Sequence, residues 1–196
     1  MRVTIDAALK MKCSRTALGC VTAHVEAGAS AEALIEVITA RVTEIQKLPY
    51  PRGVLASAEA LLRRMVAGKG LPQINAVVDV INLVSVESRL PVGLYDLAHV
   101  QGDVVFRRGR AGETYKGIGK YDLNLEGLPV FCDAIGPHGS PTSDSERTMV
   151  TAETRQVLAV MVSFGGAEGL DRWTQRMFAL LTQYASGRDI EIQMIQ

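Results

Sequence analysis

The fold is decided by the stretch QINAVVDVINLVSV at residues 73–86, which is followed by the turn LPVGLYD at residues 90–96. From residue 76 to residue 86 the first segment is apolar except for Asp79, Asn82 and Ser85, which recur at intervals of three residues. Residues three apart are neighbours on the surface of a helix. The spacing therefore predicts a helix capped by Asn75 with one narrow polar stripe, although the β-branched residues alone would favour a strand.

The polar stripe has two interpretations. In the first, it is the solvated face of a half-buried helix. In the second, the helix is buried nearly all round, and Asp79, Asn82 and Ser85 line a small polar pocket or hold the following turn. Buried polar groups need hydrogen-bond partners, and the nearest candidates are the hydroxyl of Tyr95 and the carboxylate of Asp96.

Composition limits the class of protein. A chain of 196 residues with 47% hydrophobic content predicts one domain over residues 1–196. It carries 21 basic and 21 acidic residues, so it has no overall positive field for nucleic acid. DNA is therefore not an expected partner, and contact with RNA requires a local basic patch.

No membrane partner, metal or organic cofactor is expected. No apolar run approaches the ~20 residues of a membrane span, so we expect a cytoplasmic protein. The sequence GIGK at residues 117–120 precedes Tyr121 and lacks the Ser or Thr of a phosphate loop. Three cysteines and three histidines show no metal-ligand spacing. His138 lies in the loop nearest the candidate pocket, where an imidazole can act as a base.

The remaining chain predicts an α+β domain. Helices are predicted from a Ser30 cap, from a Ser57 cap to Gly68, and from residue 170 to Gly187, with Pro49 and Pro51 interrupting the chain between the first two. Strands are predicted at residues 3–5, 19–26, 104–108, 129–133, 157–164 and 190–194. Residues 137–144 are rich in Gly, Pro and Ser and predict an irregular loop.

Two further segments carry candidate ligand contacts. In SERT at residues 145–148, Ser143 and Glu146 could form a capping box while Arg147 faces water. Alternatively, Glu146 could hold an ammonium group and Arg147 a carboxylate or phosphate beside the pocket.

Arg107, Arg108 and Arg110 form a local basic strip that is a candidate RNA-binding surface. Alternation along a strand places Arg107 and Arg108 on opposite faces, which favours a plain solvated edge instead.

Several motifs in this order resemble the B3/B4 domain of the phenylalanyl-tRNA synthetase beta chain, and more closely the free-standing proteins built from that domain alone. The similarity runs from Ser57 to Phe164, and these motifs carry it: SAEALLRR at 57–64, GLPQIN at 70–75, VDVINLV at 78–84, PVGLYDL at 91–97, GDVVFRR at 102–108 and SERT at 145–148.

The resemblance implies a three-layer arrangement, a β-sandwich with helices packed on one side. It also implies binding of tRNA or aminoacyl-tRNA, because this domain in the synthetase removes wrongly attached amino acids from tRNA. The candidate substrate-binding residues are Asp79, Asn82, Gly93, Tyr95, Asp96, Glu146 and Arg147. Of these, Asn82 matches the family asparagine on the pocket-lining helix, and Glu146 matches the family's acidic position after the glycine-rich loop.

Two positions depart from the synthetase pattern. Gly93 stands where the synthetase has a histidine, and Val160 stands where it has an acidic residue. No catalytic residue is therefore assigned. Two functions remain open: a free-standing deacylase of mischarged aminoacyl-tRNA, or a non-catalytic module that binds RNA, an amino acid or a protein.

Overall fold

The computed structural model describes residues 1–47 and 56–196. Its helices are α1 (Ala7–Lys12), α2 (Glu32–Gln46), α3 (Ala56–Val66), α4 (Ala76–Ser88) and α5 (Leu170–Tyr184). Its strands are β1 (Val3–Ile5), β2 (Ala17–His24), β3 (Val92–Asp96), β4 (Val104–Arg108), β5 (Thr114–Lys116), β6 (Asp122–Asn124), β7 (Pro129–Cys132), β8 (Pro137–Ser140), β9 (Ser143–Asp144), β10 (Gln156–Ser163) and β11 (Arg188–Ile195).

The strands form two main sheets that face each other. One has the order β1-β4-β7-β8-β9 and the other the order β11-β2-β10-β3, while β5 and β6 pair separately. One buried cluster, including Phe106, Phe131 and Leu158, lies between the two sheets. A larger cluster joins the other face of the four-stranded sheet to helices α2 to α5. The predicted three-layer α+β arrangement is confirmed.

Alternation along β10 explains why both faces of its sheet are buried. Leu158, Val160 and Val162 pack in the cluster between the sheets, whereas Val157 and Met161 pack against the helices. Successive side chains of a strand point to opposite faces. The continuous apolar run at 157–162 is therefore the pattern expected of a strand covered on both sides.

Helix α4 lies in the middle of the helical layer and is buried nearly all round. Asn75 caps it, since its side-chain oxygen accepts a hydrogen bond from Val78 N at 2.9 Å, and this prediction is confirmed. The helix ends at Arg89, which adopts a left-handed conformation with φ of 62°. The second interpretation of the polar stripe is closer to the structure, because Asp79 and Ser85 are both buried.

The stripe does not bond to the predicted partners Tyr95 and Asp96. Asp79 accepts hydrogen bonds from Ser30 Oγ at 2.6 Å and Ile74 N at 2.9 Å. Ser85 Oγ donates to Leu90 O at 2.8 Å, directly before the Pro91 turn. Asp79 and Ser85 therefore hold the chain at the two ends of α4. Tyr95 and Asp96 point elsewhere.

Four local predictions were wrong. Residues 137–144 form the paired strands β8 and β9 rather than an irregular loop. Ala31, not Ser30, precedes α2, and Ser57 lies inside α3. The proposed Ser143–Glu146 capping box does not form, because Ser145 occupies the cap of the short 3₁₀ turn that follows, without a side-chain hydrogen bond. Pro49 and Pro51 lie outside the described residues.

Candidate functional site

A small pocket lies where the helical layer meets the free edges of both sheets. Its volume is about 200 Å³, below the roughly 300 Å³ at which pockets for drug-sized ligands begin. Its lining comprises Asn82, Asp144 and eight apolar residues: Ile74, Val78, Ile81, Val92, Leu94, Ile118, Met149 and Val150. The pocket therefore suits a small ligand that is mostly apolar.

Local geometry explains how these side chains converge. Helix α4 presents Val78, Ile81 and Asn82 on one side, because residues three and four apart share a face. Val92 and Leu94 are two apart on β3 and so point to the same face of the sheet. β3 is an edge strand, and the strand β9 that carries Asp144 lies against it, with Leu94 N donating to Asp144 Oδ2 at 3.3 Å.

Asp144 is the ionisable residue in this lining. Its Oδ1 atom is buried and has no hydrogen-bond partner among the described residues. Burial raises the pKa of this carboxyl to about 7, and the Leu94 amide and the nearby Tyr95 hydroxyl offset only part of the effect. A carboxyl with such a pKa changes charge near neutral pH and favours a cationic partner when it is ionised.

Gly93 and Tyr95 point to the opposite face of β3, into the cluster between the sheets. Tyr95 is fully buried, and burial raises the pKa of its hydroxyl well above the ordinary value. A Cβ atom on Gly93 would meet Tyr95 Oη at 2.2 Å, and one on Gly139 would meet the same atom at 2.3 Å. Both glycines are therefore needed to make room for the tyrosine, and a histidine at position 93 would displace it.

The second departure from the synthetase pattern lies directly opposite the first. Val160 pairs with Gly93 across β10 and β3, and it is fully buried between the sheets. An acidic residue at this position would lie in an apolar core. The two departures therefore belong to one neighbourhood, which the Tyr95 ring fills.

His138 is also buried in this neighbourhood rather than exposed in a loop. Its ring lies edge-on to Tyr95, with 4.5 Å between the ring centres. Burial lowers the pKa of His138 to about 4, and neither ring nitrogen has a hydrogen-bond partner among the described residues. The imidazole is neutral at physiological pH and does not line the pocket, which does not support the suggested role as a base.

Asp79 and Asp96 have structural partners. Asp79 holds Ser30 and the backbone before α4, as described above. Asp96 Oδ2 accepts from Thr154 Oγ1 at 2.7 Å, and its Oδ1 accepts from Ala98 N at 2.9 Å. These bonds anchor the end of β3, so Asp96 supports the pocket wall without lining it.

Glu146 and Arg147 also lie outside the pocket lining. Glu146 pairs with Lys116 at 3.0 Å on the surface. Arg147 grips Asp133 through two hydrogen bonds of 2.9 Å and also donates to His99 O at 2.8 Å. Arg147 thus clamps the turn after β7 to the turn after β3, and contact of either residue with a ligand stays a prediction.

In the basic strip, Arg108 is separated from Arg107 and Arg110. Arg107 forms a two-pronged pair with Glu113, at 2.8 and 2.6 Å, and is largely buried. Arg107 and Arg110 line one depression of the surface, whereas Arg108 lines another beside Lys12. The predicted separation of Arg107 from Arg108 is confirmed, and RNA binding by these residues stays a prediction.

Asp144 is the pocket residue that sequence reasoning missed. It lies in the segment predicted to be an irregular loop, two residues before the assigned Glu146. In the structure the two residues diverge, since Asp144 lies in the pocket wall and Glu146 at the surface. The available signal was the acidic residue itself, which the alternation of a short strand could have separated from its neighbours.

Neither a metal cluster nor a membrane span is found in the described parts of the chain. Within residues 1–47 and 56–196, no three His, Cys, Asp or Glu side chains are placed to hold a metal ion. No helix in the same ranges is both long enough and apolar enough to cross a membrane.

Comparison with known proteins connects this fold to one family. The chain is 36% identical over 83 residues to the phenylalanine–tRNA ligase beta subunit of Bradyrhizobium diazoefficiens, which covers 42% of this chain and 10% of that protein. It is 32% identical over 111 residues to the same subunit of Bifidobacterium longum, which covers 53% of this chain and 13% of that protein. The matched part is thus about a tenth of the length of these relatives.

A solved structure shows the same fold. An N-terminal fragment of the phenylalanyl-tRNA synthetase beta subunit from Pyrococcus horikoshii aligns with 99% of this chain and half of its own, with a TM-score of 0.54 at 10% identity. The sequence model of the B3/4 domain matches residues 45–178. The chain therefore belongs to the B3/4 domain family.

Proposed function

We propose that this protein binds the aminoacyl end of a mischarged tRNA and hydrolyses the ester in trans. The observation that carries the proposal is the small pocket in which Asn82 and Asp144 are the polar members of an otherwise apolar wall. An aminoacyl ester offers the matching chemistry, with an apolar side chain, an ammonium group and a polar ester. Kinship with a tRNA ligase subunit supports tRNA as the carrier of that ester.

The reaction requires a water molecule and a leaving group. Water attacks the carbonyl carbon of the ester, the bond from that carbon to the ribose oxygen breaks, and the ribose oxygen takes up a proton. The products are a free amino acid and a tRNA with its terminal hydroxyl restored. The Asn82 amide can donate a hydrogen bond to the ester, and a neighbouring ribose hydroxyl can position the water.

The proposal treats residues 1–196 as one B3/B4-like domain. In support of this, β1 pairs with β4 and β11 pairs with β2, so both ends of the chain join sheets that also contain central strands. We expect the protein to act in the cytoplasm, as translation enzymes do. The exposed Arg108 and Arg110 are the candidates for contact with the RNA backbone.

The test is release of labelled amino acid from a panel of deliberately mischarged tRNAs. We expect release from at least one mischarged species, with the correctly charged tRNA spared. Asn82→Ala should abolish most of this release. Asn124→Ala is the matched control, since Asn124 lies in β6, outside the pocket lining, and its side-chain oxygen accepts a hydrogen bond from Glu126 N at 3.0 Å. No release from any species would contradict the proposal.

A specific observation supports a second candidate, a non-catalytic binding module. Tyr95 fills the space beside Gly93 and Val160, the two positions that depart from the synthetase pattern. A module that only binds an amino acid would be stabilised by free amino acids without RNA, because a ligand of the native state raises Tm. Stabilisation without any hydrolysis of mischarged tRNA would favour this candidate.

A further inference from the structure

We propose that Asp144 receives the α-ammonium group of the ligand, so that the pocket accepts aminoacyl groups with a free amino group and rejects N-acylated ones. The inference rests on the proposed function for the nature of the ligand. It adds a chemical criterion that the ligand must meet.

Among the described residues, the Asp144 carboxyl has no cationic partner. Its Oδ2 accepts a single long hydrogen bond from Leu94 N at 3.3 Å, and its Oδ1 has no partner with hydrogen-bond geometry there. The Tyr95 hydroxyl lies close enough to lower the pKa of Asp144 in part, but it supplies no positive charge. A buried ionised carboxylate is unfavourable unless it is paired and hydrogen-bonded. A ligand that supplies a positive charge with N–H donors would satisfy both requirements.

The described part of the chain does not supply this charge itself. Among residues 1–47 and 56–196, no Lys, Arg or His side chain is part of the pocket lining. The cations on the neighbouring surface have other partners, since Lys116 pairs with Glu146 and Lys120 Nζ donates to Ser143 Oγ at 3.2 Å. The positive charge must therefore come with the ligand.

The remaining pocket lining indicates the character of the rest of the ligand. Apart from Asn82, the described residues around Asp144 are aliphatic or carry a thioether, and none of them has an aromatic ring. Two of its members, Ile74 and Ile118, are exposed large hydrophobic residues. Covering such surface is favourable, which indicates an apolar side chain next to the ammonium group.

Acylation of the amino group would reverse the electrostatics. It removes the positive charge and places a carbonyl oxygen near a carboxylate, so two acceptors face each other. The titratable groups that interact with Asp144 are Tyr95 and Tyr115, both with raised pKa values and therefore neutral at pH 7. Neither can replace the missing charge.

The structure contains its own reporter for the test. Because Leu94 N–H donates to Asp144 Oδ2, the Leu94 amide resonance in ¹H–¹⁵N NMR spectra should follow ionisation of that carboxyl. The probes are leucinamide and N-acetylleucinamide, which are stable to hydrolysis. Titrations are made at pH 7 with the 196-residue protein and without tRNA.

We expect leucinamide to shift the Leu94 resonance and to bind at least about tenfold more tightly than N-acetylleucinamide, as expected for one charge-assisted hydrogen bond. We also expect leucinamide to bind the ionised Asp144 carboxyl about tenfold more tightly than the protonated one. Because such a preference equals one pKa unit, saturating leucinamide should lower the midpoint of the Leu94 pH titration by about one unit. Asp144→Asn should abolish the discrimination. Asp122→Asn, a change at an exposed residue of β6, should leave it intact.

Equal affinity for the two probes, or no binding of either, would overturn the proposal. Discrimination that survives Asp144→Asn would overturn it as well. These outcomes are independent of the test of hydrolysis. If the pocket binds leucinamide as described and mischarged tRNA is not hydrolysed, the ammonium site stands and the deacylase proposal fails.

Discussion

Two aspartates on either side of strand β8 have opposite environments. Asp133 follows β7 and accepts five hydrogen bonds, two of them from Arg147 and three from the backbone of Gln101, Ile135 and Gly136. Asp144 lies in β9, where its carboxyl accepts a hydrogen bond from Leu94 N and the neutral Tyr95 hydroxyl lies nearby. Burial alone would raise the pKa of Asp133, but its hydrogen bonds outweigh burial and lower the pKa to about 2, whereas the pKa of Asp144 is raised to about 7.

The difference separates a carboxylate that holds the fold together from one that is available to a ligand. All the hydrogen-bonding capacity of Asp133 is used inside the protein, in a clamp between two turns. Asp144 retains most of its capacity and lies in a pocket. Perturbed pKa values of this second kind are typical of functional sites, although structural ion pairs also shift them.

The largest expected effect comes from breaking the clamp. Arg147→Ala leaves the Asp133 carboxylate, whose side chain is 0% exposed, without its charged partner. Breaking a buried pair in this way costs about 3 kcal/mol of unfolding free energy, less where the arginine is partly solvated. Urea unfolding at pH 7 measures the loss. The unfolding free energy of Arg147→Lys should lie between those of the wild type and Arg147→Ala. A loss below about 1 kcal/mol would mean that the clamp is not structural.

The next largest effect is expected at Asp144 and depends on pH. Because the native state holds its proton up to a pKa of about 7, against an ordinary value near 4, the stability of the protein falls as the pH rises from about 4 to 7. Asp144→Asn cannot ionise and should therefore be more stable than the wild type at pH 8, by about 2 kcal/mol.

The same variant provides its own control at low pH. At pH 4 the wild-type carboxyl is protonated in the native state, so Asp144→Asn and the wild type should have nearly equal unfolding free energies. Thermal unfolding of Asp144→Asn and of the wild type, each at pH 4 and pH 8, measures whether the difference in stability appears only at the higher pH. A variant that is destabilised equally at both pH values would show that Asp144 is held by native contacts, as Asp133 is.

These two aspartates also show what sequence could predict. Helix α4 was predictable because its cap and polar spacing act within one helix, and a continuous apolar run of strand length identified the long strand β10. Strands β8 and β9 have only four and two residues. They pair with neighbouring segments, β7 with β8 and β8 with β9, but they are too short for a period to show, and Gly and Pro in the segment suggested a loop. The place of Asp144 in the pocket wall also depends on its contact with Leu94, 50 residues earlier in the chain.

Arg147 and Tyr95 were both suggested as substrate-binding residues, and the sequence did not predict the surroundings of either, for different reasons. The partner of Arg147 lies 14 residues away across a turn, and nothing in the spacing indicates it. The direction of Tyr95 was accessible, since alternation along β3 places it opposite to Leu94. The sequence does not show that the Tyr95 ring occupies the space above Gly93 and Gly139, because that contact forms only when the two sheets pack together.

A smaller effect is expected at the ion pair between Arg107 and Glu113. Hydrogen bonds from Arg107 lower the pKa of Glu113 to about 2, so this carboxylate resembles Asp133 rather than Asp144. Lys cannot reproduce the two-pronged contact, and Arg107→Lys should cost about 1 kcal/mol of unfolding free energy. Urea unfolding measures it, with Arg108→Lys as the control. An RNA affinity that falls with Arg107→Lys while stability is unchanged would restore Arg107 as a contact residue.

The smallest effect is expected at Glu146, the carboxylate that the sequence suggested for the ammonium group. It pairs with Lys116 at the surface, where the two side chains are 38% and 63% exposed, and such pairs contribute about 0.5 kcal/mol or less. Glu146→Gln should therefore leave both the unfolding free energy and the affinity for leucinamide close to those of the wild type. Comparison of the leucinamide affinities of Glu146→Gln and Asp144→Asn in the same titration shows which of the two carboxylates binds the ligand. If affinity falls in Glu146→Gln and persists in Asp144→Asn, the surface residue is the receptor, and the buried aspartate only shapes the pocket wall.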